Sequence, residues 1–116
     1  MHKQEIKIVT KIIREISFFF ILQGHMHFVI DTHINDNNSL IVVTLTKPKQ
    51  KMLDFIVEHL KEERELSTET YGWELIGEID SESEFELLGT MIDDVLIKTN
   101  GDHTELTFIR NSRYNK

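Results

Sequence analysis

The chain contains no cysteine, which excludes a disulfide framework, a thiolate nucleophile and any cysteine-ligated zinc or iron–sulfur centre. Long apolar runs are missing too. The longest, Phe18 to Leu22, is far too short to cross a bilayer as a helix. The N-terminus, MHKQEIKIVTK, has charges spread through it and no apolar block ending in small residues, so it does not read as a secretion signal. A cytoplasmic location is expected. Proline occurs once and glycine five times, and no repeat, low-complexity tract or linker composition interrupts the sequence. Basic residues are in the minority, 13 against 20 acidic ones for a net charge of -7. That balance argues against a general grip on nucleic-acid phosphates. What is present is a 116-residue chain that is 40% hydrophobic, enough for one core and one domain spanning residues 1–116.

Apolar residues at Ile6, Val9, Ile13, Ile16 and Phe20, widened by Ile8, Ile12 and Phe19, predict an amphipathic helix from about Lys3 to Leu22, closed by Gln23-Gly24. His25 to Ile34 alternates: Met26, Phe28, Ile30 and Ile34 fall on one face, and His25, His27, Asp31 and His33 on the other. This predicts a half-buried strand. A polar turn over Asn35 to Ser39 leads into a β-branched return strand, Leu40 to Thr46. Pro48 suits the first turn of a second helix running to about Glu65, with Leu53, Ile56, Val57 and Leu60 inside. Residues 66–80 read mostly as loop, with a short strand over Trp73 to Ile79. Ser81 and Glu84 form a capping box for a third helix ending near Asp93. Val95 to Thr99 and Glu105 to Ile109, joined through Asn100-Gly101, predict a closing hairpin.

Few residues carry a chemical pattern. His25, His27 and His33, with Asp31, would project from one strand face as a metal-binding set. Residues two apart on a strand sit about 7 Å from each other, so a metal there needs converging imidazoles and a second element. The same residues also read as the polar face of a half-buried strand, or as a pH-sensitive one. Phe18, Phe19 and Phe20 cannot all face one core, because helical neighbours diverge by about 100°. At least one of them points elsewhere, against another helix, a partner or a second copy of the chain. The acidic run of Glu58, Glu62, Glu63 and Glu65, with Lys61 and Arg64, reads as a solvated helix face.

The C-terminal third, Leu88-Gly89-Thr90-Met91-Ile92-Asp93-Asp94-Val95, then Asn100-Gly101, then Thr104 to Arg110, resembles the end of the ATP-binding domain of the GHKL superfamily, in particular its anti-sigma-factor serine kinases and histidine-kinase ATPase domains. Glu15 and Gly24 fall in register with that family's first core helix and the turn after it. The resemblance implies an α+β fold, a two-layer sandwich with helices on one face of a mixed, mostly antiparallel sheet. It also implies where nucleotide chemistry would sit. The family's magnesium-holding Asn aligns with Phe19, whose phenyl ring cannot ligate a hard cation. The adenine-reading Asp and its Gly-x-Gly are replaced by Leu45-Thr46-Lys47-Pro48-Lys49.

The expected function is therefore a non-catalytic regulatory domain without cofactor, acting through a protein partner or as a homodimer via the first helix around Phe18 to Phe20. One alternative is a divergent nucleotide-binding serine kinase that holds ATP and magnesium with Glu15 and a worn glycine lid at Gly72 and Gly77. Another is a small protein binding a divalent transition metal at His25, His27 and His33. A third is an assembly subunit of a larger complex.

Overall fold

The computed structural model describes residues 2–60 and 88–113. Helix α1 spans Lys3–Leu22, the bounds that the apolar period predicts. The His2 side chain caps it, Nδ1 accepting the Gln4 amide at 3.0 Å. Its buried face holds Ile8, Val9, Ile12, Ile16, Phe19 and Phe20 together with Glu5 and Glu15. The stripe is rotated from the expected one. Ile6 is exposed and Ile13 only half-buried, because two carboxylates occupy the buried side and shift its centre.

The end of α1 is closed as its glycine implies. Gly24 has φ +93°, its amide reaches the Ile21 carbonyl, and the His25 amide reaches the Phe20 carbonyl, both at 3.0 Å. The pair of bonds is a Schellman motif, and the His25 ring packing edge-on against Phe20 at 6.2 Å supplies its usual side-chain contact. Gly24→Ala places its methyl in open space, so only backbone strain opposes it. A loss of about 1–2 kcal/mol is expected from the shift of a urea unfolding midpoint.

Strand β1, Phe28–Ile34, starts three residues later than the alternation predicts, because His25 is used to close the helix. Met26, expected on the buried face, is exposed for the same reason. The Asn35 side chain accepts the amides of Asn37 and Asn38 at 2.8 and 2.9 Å, a local turn that sends the chain back into β2, Asn38–Thr46. Helix α2 covers Gln50–Leu60; its expected continuation to Glu65 lies outside the described residues. So do residues 66–80 and the capping box at Ser81.

A single 3₁₀ turn, Gly89–Met91, precedes β3, Asp94–Asn100. The expected helix to Asp93 stops earlier because Ile92 is extended and the Asp93 amide already bonds to the Ile109 carbonyl at 2.7 Å. Gly101, at φ +63°, turns the chain into β4, His103–Asn111.

The sheet order is β1-β2-β4-β3, and each of its pairings is antiparallel. The mixed pairing expected from the resemblance is not found among the described strands. Alternate residues Ile41, Val43 and Leu45 of β2 and Leu106 and Phe108 of β4 join both helices in one buried cluster. The described elements thus make an α+β arrangement of two helices and an open four-stranded sheet.

Candidate functional site

The seam between α1 and α2 holds a cleft of 330 Å³, formed by Phe19 of α1 and Gln23 just after it, by Lys49 just before α2, and by Lys51, Met52 and Phe55 of α2. Phe19 is 2% exposed. Its ring lies parallel to that of Phe55, 9° off plane with centroids 5.9 Å apart, and meets Phe20 edge-on at 5.4 Å. The described lining is therefore apolar and aromatic apart from Gln23 and two exposed lysines. No carboxylate lines it among the described residues.

Glu15 does not reach this cleft. It is buried, with Lys11 Nζ and Arg14 Nε each 3.6 Å from its Oε2, so its charge is compensated along α1 itself. Gly72 and Gly77 lie outside the described residues. The histidines are not gathered either. His25 is packed against Phe20 at the helix end, and His33 meets Asp31, Nε2 to Oδ2 at 3.2 Å, with both side chains exposed. No group of three potential metal ligands forms among the described residues. Three histidines that alternate in sequence separate here because only His33 of the three lies within β1.

The best-connected polar cluster is one that sequence reasoning missed. Glu5 and Arg110 are both buried, 0% and 1% exposed. The Arg110 guanidinium donates Nε and Nη2 to the two Glu5 oxygens, a two-pronged contact, and Nη1 to the Met91 carbonyl at 2.8 Å. The Arg113 amide donates to Glu5 at 3.2 Å, and the Arg113 side chain reaches Asp93 at 3.1 Å. Burial pushes the Glu5 pKa up, but the Arg110 and Arg113 hydrogen bonds and the charges of both guanidiniums outweigh it and hold Glu5 below the usual carboxylate range. Asp93 also accepts the Asn111 amide, and Asp94 caps its own strand through the Val95 amide at 2.8 Å. The contacts of Glu5, Met91 and Asp93 with Arg110, Asn111 and Arg113 tie α1 and the turn before β3 to the end of β4 and the residues after it. Its chemistry is structural.

The outward side of α1 is the other feature of note. Phe18, Ile21 and Leu22, spaced three and four residues apart, are 47%, 48% and 53% exposed. Below them a shallow groove is lined by Ile6, Lys7, Thr10, Lys11 and Arg14. Of the three consecutive phenylalanines, two belong to the core and Phe18 alone faces out. Comparison of the chain with protein-family models, with curated proteins and with solved structures finds no match.

Proposed function

We propose that this domain is a non-catalytic binding module, regulatory in use, on a scaffold like that of the histidine-kinase and anti-sigma-factor ATPases. The observation that carries the reading is Phe19. Where the resemblance requires an oxygen ligand for the phosphate-bridging cation, a phenyl ring is buried between Phe20 and Phe55. Magnesium needs near-octahedral oxygen coordination, and the described cleft offers it no carboxylate. Thr46, which stands near the expected adenine-reading Asp, is at the exposed end of β2.

Binding then falls to the surface, and the outward face of α1 is its best-equipped part. The apolar trio Phe18, Ile21 and Leu22 offers an i, i+3, i+4 anchor, and the basic groove beside it offers charge for a protein partner or a second copy. Calorimetric titration with ATP and magnesium is expected to give no saturable heat up to about 1 mM, an affinity limit of about -4 kcal/mol. Micromolar binding that is lost in Glu15→Gln would overturn the reading in favour of a nucleotide-dependent kinase.

A further inference from the structure

We propose that the chain forms a two-fold symmetric dimer in which β1 pairs antiparallel with β1 of a second copy, joining the two sheets edge to edge. β1 is a terminal strand of the described sheet, and the direction of its backbone groups follows from the turn beside it. The Asn35 amide donates to the Asn38 carbonyl at 3.0 Å, and the register from Ile34↔Ser39 to Phe28↔Leu45 is unbroken. Residues 29, 31 and 33 therefore bond to β2, and the amides and carbonyls of Phe28, Ile30, Thr32 and Ile34 point away from the sheet. Such an edge templates another strand unless lysine, proline or a bulge blunts it. β1 carries none of these. β3, the opposite edge of the described sheet, is blunted: the Asp94 side chain takes the Val95 amide at 2.8 Å, and Lys98 stands within the strand.

Charge selects both the occupant and the register. A two-fold axis normal to the sheet sets residues of one face opposite each other, and the middle of β1 offers it three places, at Ile30, Asp31 or Thr32. An axis at Asp31 puts the two carboxylates face to face, and one at Ile30 sets Asp31 against Val29. The axis at Thr32 is complementary throughout. It places Asp31 opposite His33 of the second copy, and His33 opposite its Asp31, in pairs whose Cα atoms lie about 4.5 Å apart. Both side chains are ready for this, being 65% and 61% exposed and already joined within one chain through Oδ2 and Nε2. On the core side the same axis sets Ile30 against Ile34 of the second copy. Ile30 is half-buried at the margin of the core, and Ile34 is 46% exposed although it shares that side of the sheet. The seam thus covers an exposed apolar side chain and matches opposite charges, while Ile30, Thr32 and Ile34 exchange backbone hydrogen bonds across it. A row complementary to itself fits a second copy of this chain. The pairing uses no residue of the outward face of α1.

The test is sedimentation equilibrium of the full chain over about 5–500 µM, in a buffer at about pH 6 so that imidazoles carry charge. A reversible monomer–dimer equilibrium is expected. Thr32→Pro removes an amide that points away from β2, a place where an edge strand accepts proline, and weakens association at least about tenfold. Asp31→Lys and His33→Asp, each at an exposed position, set like charges opposite one another and weaken it similarly. Combining Asp31→Lys with His33→Asp exchanges the two charges and returns the affinity to within about threefold of the original. The charge series decides alone where circular dichroism shows the proline variant unfolded. A monomer at every concentration, a dimer untouched by Thr32→Pro in its folded form or by the single charge changes, or a combined variant no tighter than the single ones would each overturn the proposal. So would a dimer lost in Phe18→Ala and kept in Thr32→Pro, which places the second copy on α1. A failure here leaves the non-catalytic reading standing, because that is probed separately with magnesium and ATP.

Discussion

Replacing Arg110 with alanine is expected to remove about 3–5 kcal/mol of folding free energy, because it leaves the Glu5 carboxylate buried without its two-pronged partner. Glu5→Ala is expected to cost a similar amount by stranding the guanidinium. The Met91 carbonyl and the Arg113 amide lose partners in the first and second case respectively. Removing both charges together tells a different story. Glu5→Leu with Arg110→Met eliminates the desolvation cost along with the attraction, so most of the stability is expected to return. Urea unfolding of the two single variants and the double variant measures the coupling directly.

The same pair sets a pH dependence. Glu5 has its folded pKa held below the ordinary value of 4.5, so over that interval the unfolded chain binds the extra proton. Its contribution to stability is complete above the unfolded value and is lost as pH falls through the lower folded one. Glu5→Gln should therefore flatten the decline of stability below about pH 4.5, while lowering the plateau at neutral pH.

Alanine at Phe20 is expected to cost about 3–5 kcal/mol, whereas alanine at Phe18, two residues away, should change stability by no more than about 0.5 kcal/mol. Phe20 is 0% exposed and its ring touches those of Phe19, His25 and Phe28. Its removal leaves a cavity at the junction of α1, the helix-closing turn and β1. Phe18 leaves nothing empty, since half of its surface already meets solvent. The contrast fixes the rotation of α1 about its own axis. If Phe18→Ala were the costly change, the helix would be turned by about 200° from the arrangement described here, and the outward trio would be part of the core.

Much of this architecture is legible in the residues themselves. The bounds of α1 follow from a broad 3.6-residue stripe ended by Gln23-Gly24, and the two hairpins follow from a β-branched run and from Asn100-Gly101. Local rules fail where tertiary demand overrides them. His25 looks like the first residue of a strand and is instead the last piece of a helix cap. Glu5 and Arg110 look like surface charges, and 105 positions separate them. Their only sequence signal is phase. Glu5 precedes Ile8, Val9 and Ile12 by three, four and seven, the spacing of the buried face. Arg110 follows Leu106 and Phe108 in the two-residue period of the buried side of β4. Two in-phase charges of opposite sign, each in an otherwise apolar row, mark a buried pair. The cleft could not have been found this way, because it exists only where the end of one helix meets the start of another.

We propose that the seam beside Phe19 does not seat a magnesium-bridged nucleotide. An amide-resolved NMR titration of the ¹⁵N-labelled chain with magnesium and ATP reads that seam, and Glu15 and Thr46 outside it, residue by residue. The account predicts no saturable shift at Glu15, Phe19 or Thr46. Shifts at all three that saturate together, require the metal and vanish in Glu15→Gln would contradict it.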